Sequence, residues 1–222
     1  IDGGWRIKPI HRLILLSSTY RQSSRSPDFQ RGETIDPDNS LLWHFSRRRL
    51  SAEEVRDAML AVSGRLNRKA GGPSVMLPVE QELIGQLYKP SQWQVTVDQE
   101  EHSRRSIYLI AKRNLRLPFM EVFDQPPSQT SCAFREQSTH APQALELLNG
   151  RISNELAEAF AARLQQECGS DSAQQVERAF LLAMGRSPTL PEKQLALEFL
   201  GEQPLREFAL ALFNLNAFLY VD

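Results

Sequence analysis

From Pro142 to its end the chain leaves room for little but helix. "PQALELLN" (142–149) opens on a proline suited to a first helical turn. "NELAEAFAARLQQE" (154–167) forms a second helix or continues the first past Gly150. "SAQQVERAFLLAMG" (172–185) is capped near Asp171 or Ser172 and stopped at Gly185. "TLPEKQLALEFLG" (189–201) opens on a capping box, Thr189 with Glu192, and ends at Gly201. "LREFALALFNLNAFLYV" (205–221) closes the chain with an apolar stripe. The connections are short, so these helices pack as antiparallel neighbours.

The first 141 residues are more broken. Ile7, Ile10, Leu13, Ile14 and Tyr20 fall close to helical spacing and predict a helix with a buried stripe, Pro9 in its first turn. Residues 22–35 read as a polar surface loop. In "DPDNSLLWHF", Asp38, Asn39 or Ser40 can cap a short helix carrying Leu41, Leu42, Trp43 and Phe45 into the core. Ser51 and Glu54 form a second capping box. Val55, Met59, Val62 and Leu66 follow on one face, with Gly64 as the stop. A short helix fits near Glu80–Tyr88. The alternation of Trp93, Val95 and Val97 and the run "SIYLIA" (106–111) predict two strands of one hairpin. Residues 123–142 form a long connection without periodicity. The expected fold class is mainly α, a multi-helix domain with one small β-hairpin. It is read as a single domain over 1–222, with N-terminal helices and hairpin in 1–141 and a helical subdomain in 142–222.

Several function classes find no support. A net charge of −1 lacks the clustered cationic excess that neutralises phosphates, so no nucleic-acid partner is expected. No apolar run is long enough to span a membrane. Two cysteines, Cys132 and Cys168, neither make a disulfide framework nor exclude a pair. Haem attachment through Cys-x-x-Cys-His has no match, so no cofactor is assigned within these residues. His11, His44, His102 and His140 are scattered, and no metal site is expected. Asp36, Asp38 and Ser40 imitate the start of a calcium loop, but Leu41 replaces its glycine and Arg47 its closing glutamate. "GGPS" (71–74) resembles a piece of an oxyanion loop and is better read as a glycine-rich turn. A nucleophilic Cys132 would need a base, and the sequence places none.

The charged residues around the Ser51–Glu54 capping box decide the remaining choice. Glu53 and Arg56 are spaced to pair on the helix surface, while Glu53 and Asp57 repel unless a cation lies between them. Arg49 and Arg56 are the nearest cations, giving an expected structural ion network of Arg49, Glu53, Arg56 and Asp57. A hydrolase would draw its acid and base from Glu53, Asp57 and Asp124. Those roles need two carboxyls in different environments across a cleft, whereas an arginine partner holds a carboxylate ionised. Arg49, Arg56, Trp93 and Arg135 are the candidate binding residues.

The motifs together resemble a known family: the C-terminal domain of unknown function of large planctomycete proteins, often downstream of a planctomycete-type cytochrome c domain. The matching residues include Trp5, Lys8, His11, Arg12, Tyr20-Arg21, Asp36-Pro37-Asp38-Asn39, Arg48-Arg49-Leu50, Glu53, Arg56-Asp57 and Ser63-Gly64. They continue through Gly71-Gly72-Pro73, Arg105-Ser106-Ile107-Tyr108, Phe123-Asp124, Pro126, Cys132, Arg135, Gln143-Ala144-Leu145, Asn149 and Gly185-Arg186. Pro188-Thr189, Glu192, Asn214, Asn216 and Phe218 to Asp222 complete the set, with Ala217 where the family pattern has a glutamate. The resemblance implies an exported protein, periplasmic or at the cell surface, with redox-type domains upstream and no established reaction. The chain starts at Ile1 without an initiator Met and reads as part of a longer protein, its targeting information upstream.

Three functions follow as expectations. The first is a non-enzymatic binding or assembly module whose partners are upstream domains of the same protein or another exported protein. The second is a hydrolase of extracellular polymer. The third is a carbohydrate- or peptide-binding domain using Trp93 and the 123–142 loop.

Overall fold

The computed structural model describes residues 3–85 and 87–221. The chain divides into two compact units, Ile1–Arg49 with Tyr220–Asp222, and Leu50–Leu219.

In the first unit, helix α1 (Ile7–Leu16) forms where the apolar spacing places it, but every residue in it is exposed or nearly so, and the expected stripe is not buried. The segment read as a loop contains helix α2 (Phe29–Ile35). The helix expected over Leu41–Phe45 is absent, because Asn39 and Leu42 adopt left-handed φ values of 52° and 55° that end any right-handed turn. The Asp36 carboxylate holds this corner by accepting from the Ser40 and Leu41 amides at 3.0 and 2.7 Å. Trp43 is half-buried rather than core. Its ring lies on α2 at Gly32, where a Cβ would stand 2.4 Å from the indole, and its Nε1 donates to the Asp36 carbonyl at 2.9 Å. That tertiary contact sets a helix in a stretch whose local composition favours a loop. Strand β1 (Arg48–Arg49) pairs antiparallel with β2 (Tyr220–Val221), Arg48 opposite Val221 and Arg49 opposite Tyr220.

The second unit holds the hydrophobic core. Helix α3 (Ala52–Val62) starts at the predicted capping box: the Glu54 amide donates to Ser51 Oγ and the Ser51 amide to Glu54 Oε2. It ends before Gly64, whose φ of 76° needs no Cβ. Short helices α4 (Gln81–Gly85) and α5 (Pro118–Val122) follow. Helix α6 (Ala141–Asn149) stops at Gly150, which is extended, and α7 (Arg151–Cys168) begins afresh. Helices α8 (Ser172–Met184), α9 (Leu190–Glu202), α10 (Leu205–Phe213) and α11 (Asn216–Leu219) complete the unit. Asp171 caps α8 by accepting from the Ala173 and Gln174 amides, and Gly185 closes it in the left-handed region. Helix α7 packs on α3, α6, α8 and α10, and buries Ala157, Phe160 and Leu164. The Phe160 and Phe213 rings stack at 5.9 Å, and Phe213 meets Phe218 at 5.2 Å. From α7, Arg163 donates to the Ala61 and Val62 carbonyls and so satisfies the C-terminal end of α3.

The mainly helical class with one small antiparallel sheet stands, but its strands are not those expected. Residues 93–97 and 106–111 do not pair with each other. Residues 75 and 76 take their hydrogen bonds instead: Val75 donates to the Tyr108 carbonyl, Ile110 to the Val75 carbonyl, and Thr96 to the Met76 carbonyl. Short 3₁₀ turns occupy Pro90–Gln92, Gln99–Ser103 and Ser106–Tyr108.

Candidate functional site

Helix α3 carries three charged side chains of the sequence analysis, Glu53, Arg56 and Asp57. Arg56 is 3% exposed. Its Nη1 donates to the Arg104 carbonyl at 2.9 Å and to Ser106 Oγ at 3.2 Å, and its Nη2 to the His102 carbonyl at 2.5 Å. Asp57 lies 3.6 Å away, its Oδ1 accepting from the Ser106 amide at 2.8 Å and from Ser106 Oγ at 2.7 Å. The Ser106 hydroxyl thus accepts from Arg56 and donates to Asp57, joining cation and anion through one oxygen. Burial lowers the Arg56 pKa to about 10, with the nearby Asp57 opposing that shift.

Glu53 points elsewhere. Its carboxylate receives a two-pronged contact from Arg135, both bonds 2.8 Å, so its expected partner Arg56 is replaced by a residue of the long loop. Helix spacing permits the Glu53–Arg56 pair, but the carbonyls of 102 and 104 occupy Arg56. The Arg135 guanidinium holds the Glu53 pKa below its ordinary value, and Glu53 raises that of Arg135. Asp124, at a left-handed φ of 63°, accepts from the Ser138 amide at 2.9 Å and its Oγ at 2.6 Å, with Gln143 Nε2 at 3.4 Å. That carboxylate pins the 123–142 connection at both ends.

A second cluster lies beside the first. Arg104 is fully buried, its guanidinium 3.9 Å from the Tyr108 ring centroid. Its Nη1 donates to Glu101 Oε2 at 2.9 Å and to the Pro73 carbonyl at 3.4 Å, and its Nη2 to the Gly71 carbonyl. The glycine-rich turn therefore offers carbonyl oxygens to a cation. An oxyanion loop would present amide donors to an anion, so the polarity is the reverse.

Cavities open beside Asp124 and beside Arg56. One of about 610 Å³ is lined by Arg116, Glu121, Asp124, Cys132, Phe134 and Glu136. The other, about 240 Å³, lies between Arg56, Glu80, Phe119, Glu146 and Arg151. Burial, and then the charge of Glu80, raises the Glu146 pKa. Glu53 and Asp57 line neither of these cavities.

A model described as "PSD1: Protein of unknown function (DUF1553)" matches residues 1–200. The chain belongs to this family. No curated protein matches the chain, and no solved structure does.

In this PSD1 family member the predicted site residues do not converge. Arg56 and Asp57 meet, Glu53 meets Arg135, and Asp124 meets Ser138, three separate arrangements. Arg49 lies in the first unit, buried within β1. Trp93 is 6% exposed and its Nε1 donates to the Leu77 carbonyl, so its ring is not a stacking platform. Cys132 and Cys168 are free thiols, Cys132 exposed with its Sγ against the Phe134 carbonyl. Among the described residues no group of three His, Cys, Asp or Glu side chains is placed to hold a metal, and no helix is long and apolar enough to cross a membrane. Nothing in the sequence pattern singles out Glu101, Arg104 or Glu146, and Ser106 stands out only within the run Arg105-Ser106-Ile107-Tyr108. "RRS" at 104–106 was visible as a charged motif, but nothing local assigns Arg104 to carbonyls more than thirty residues away.

Proposed function

We propose that this PSD1 family member is a non-enzymatic binding and assembly module of a larger exported planctomycete protein, joined to cytochrome c-type domains or to another exported partner. The observation carrying this reading is that Glu53, Asp57 and Asp124 are each engaged by other groups of the protein. Each carboxylate that an acid–base mechanism would draw on is bound to an arginine or to serine donors. The Arg135 contact holds the Glu53 pKa below its ordinary value and makes Glu53 a poor proton donor near neutral pH, while Asp57 and Asp124 are engaged by the hydroxyls and amides of Ser106 and Ser138. The export and the cytochrome c neighbours rest on the residue pattern from Trp5 to the C-terminus.

A second reading, a hydrolase of extracellular polymer, draws support from the 610 Å³ cavity that Asp124 lines with Glu121 and Glu136. Reducing-end and amine release from a panel of polysaccharides and peptides separates the two. A module gives no turnover above blank, and Glu53→Gln lowers the melting temperature by about 2–4 °C per kcal/mol lost. Turnover abolished by Asp124→Asn, with the melting temperature unchanged, overturns the module in favour of the enzyme.

A further inference from the structure

The 240 Å³ cavity beside Arg56 holds charge that nothing in the protein balances. Its apolar wall includes Leu77, Phe119 and Met120, all buried. Two carboxylates line it from different elements: Glu146, half-buried on α6, and Glu80, exposed just before α4. Among the described residues neither makes a side-chain hydrogen bond or an ion pair. Burial, and then the like charge of Glu80, disfavours the ionised form of Glu146. Gly150 makes room for this carboxyl, since a Cβ there would stand 2.3 Å from Glu146 Oε1 and as close to its carbonyl oxygen. Its φ of −62° is open to any residue, so this glycine serves space and not backbone shape. The cations of the cavity are engaged elsewhere. Arg151 meets Glu155 at 3.4 Å, and both Nη atoms of Arg56 are held by the His102 and Arg104 carbonyls and Ser106. Only Nε of this buried arginine is left without an acceptor among the described residues.

A second cavity, about 180 Å³, adjoins the first and shares Arg56, Leu77, Pro78, Arg151 and Ile152 with it, adding Leu60 and Leu156 to the apolar wall. Each is smaller than the roughly 300 Å³ at which pockets begin to enclose a drug-sized ligand. Two small adjoining compartments suit neighbouring side chains of one extended segment. Charge selects what enters the first. An anion would meet two carboxylates. An apolar group would leave the Glu146 carboxylate desolvated and without a partner. A divalent metal needs more ligands than these two, and no third His, Cys, Asp or Glu joins them among the described residues. An ammonium on an aliphatic stem matches both parts, with three N–H donors for the two carboxylates and methylenes for the apolar wall. A guanidinium fork is matched to the two oxygens of one carboxylate, not to carboxylates on separate elements. We propose that these cavities bind a lysine side chain of a partner polypeptide, its ammonium between Glu80 and Glu146, a neighbouring apolar side chain in the second compartment, and a carbonyl of the same segment accepting from Arg56 Nε. This rests on the module reading above and names the chemistry of its partner.

The test titrates the whole 222-residue chain with acetyl-Leu-Lys-Leu-amide, a lysine between apolar neighbours, and follows the Glu80 and Glu146 carboxyl resonances by carbon-13 NMR. Both resonances are expected to move saturably. Binding is expected to weaken about tenfold or more when the lysine of the peptide is acetylated, and likewise in Glu80→Gln or Glu146→Gln protein. Cadaverine, which has the ammonium and the stem but no peptide, is expected to bind about tenfold or more weakly than the peptide. Near neutral pH the melting temperature of Glu146→Gln is expected to equal or exceed that of the unsubstituted protein, because the change removes a desolvated, repelled charge. Movement that survives acetylation, or none up to about 10 mM peptide, overturns the inference. Cadaverine binding as tightly as the peptide overturns the polypeptide occupant in favour of a small amine. A lower melting temperature for Glu146→Gln marks that carboxylate as a structural contact and likewise overturns the inference. The turnover panel above is read separately, so absent binding with no turnover refutes the lysine site and leaves the module, whereas turnover refutes the module whatever these cavities hold.

Discussion

The two units differ in what a buried position holds. In the second, Val55, Met59, Phe160, Leu164, Val176, Phe213 and others make a continuous core fed by α3 and α5 to α11. In the first, only Asn39 and Arg49 are buried among the described residues, and both are polar. A unit without apolar burial gains little to offset the entropy of ordering its chain. The second unit therefore carries its own stability, whereas the order of the first depends on a few turns, the β1–β2 pairing and the Trp43–Gly32 contact.

The contrast can be broken most directly by shortening one side chain in each unit. Phe160→Ala removes a ring stacked on Phe213 and is expected to cost about 3–5 kcal/mol in urea unfolding. Leu13→Ala, at a 75% exposed site, is expected to change stability by no more than about 0.5 kcal/mol. Equal losses at the two positions would mean that α1 is packed in the free protein. Arg56→Ala probes the second unit without touching its apolar core. It leaves Asp57 without its cation and the His102 and Arg104 carbonyls without a donor, at an expected cost of about 3 kcal/mol in the same measurement.

The last effect is electrostatic. Glu192 closes the α9 capping box and accepts from both Nη atoms of Arg186, which lowers its pKa from 4.5 to about 2. A depressed carboxyl contributes stability that is fully present above its unfolded value and is lost as pH falls through its folded one. The window is therefore from about pH 4.5 down to about 2. The pair is partly exposed, and solvent screening reduces its contribution to less than about 1 kcal/mol. Melting temperatures measured across that window should fall less steeply in Glu192→Gln than in the unsubstituted protein. An unchanged slope would remove Glu192 from the account of acid sensitivity.

The sequence was legible where structure is local. Both capping boxes, the Asp171 cap, the Gly185 stop and the existence of helices from 142 onward follow from spacings of three and four residues, but α9 runs through the expected stop at Gly201 to Glu202, and the closing stretch breaks into α10, α11 and strand β2. The strands were misplaced because alternation cannot say which segment supplies the hydrogen bonds, and Val75 and Met76 came between the two runs. Helix α2 failed for a related reason: it depends on Trp43 lying on Gly32. At the candidate site, the existence of an ion network around α3 was readable and its wiring was not. The partner of Glu53 comes from the 123–142 connection, and the capacity of Arg56 is used by carbonyls that no residue type announces.

The turn at Gly71–Pro73 has one further bearing. It is fastened to Arg104 through the peptide oxygens of Gly71 and Pro73, neutral acceptors that carry no charge to lose. Only the Glu101 contact in that fastening answers to acid. When strong acid neutralises the carboxylates elsewhere, this corner keeps its hold, and it marks where the second unit should be last to come apart.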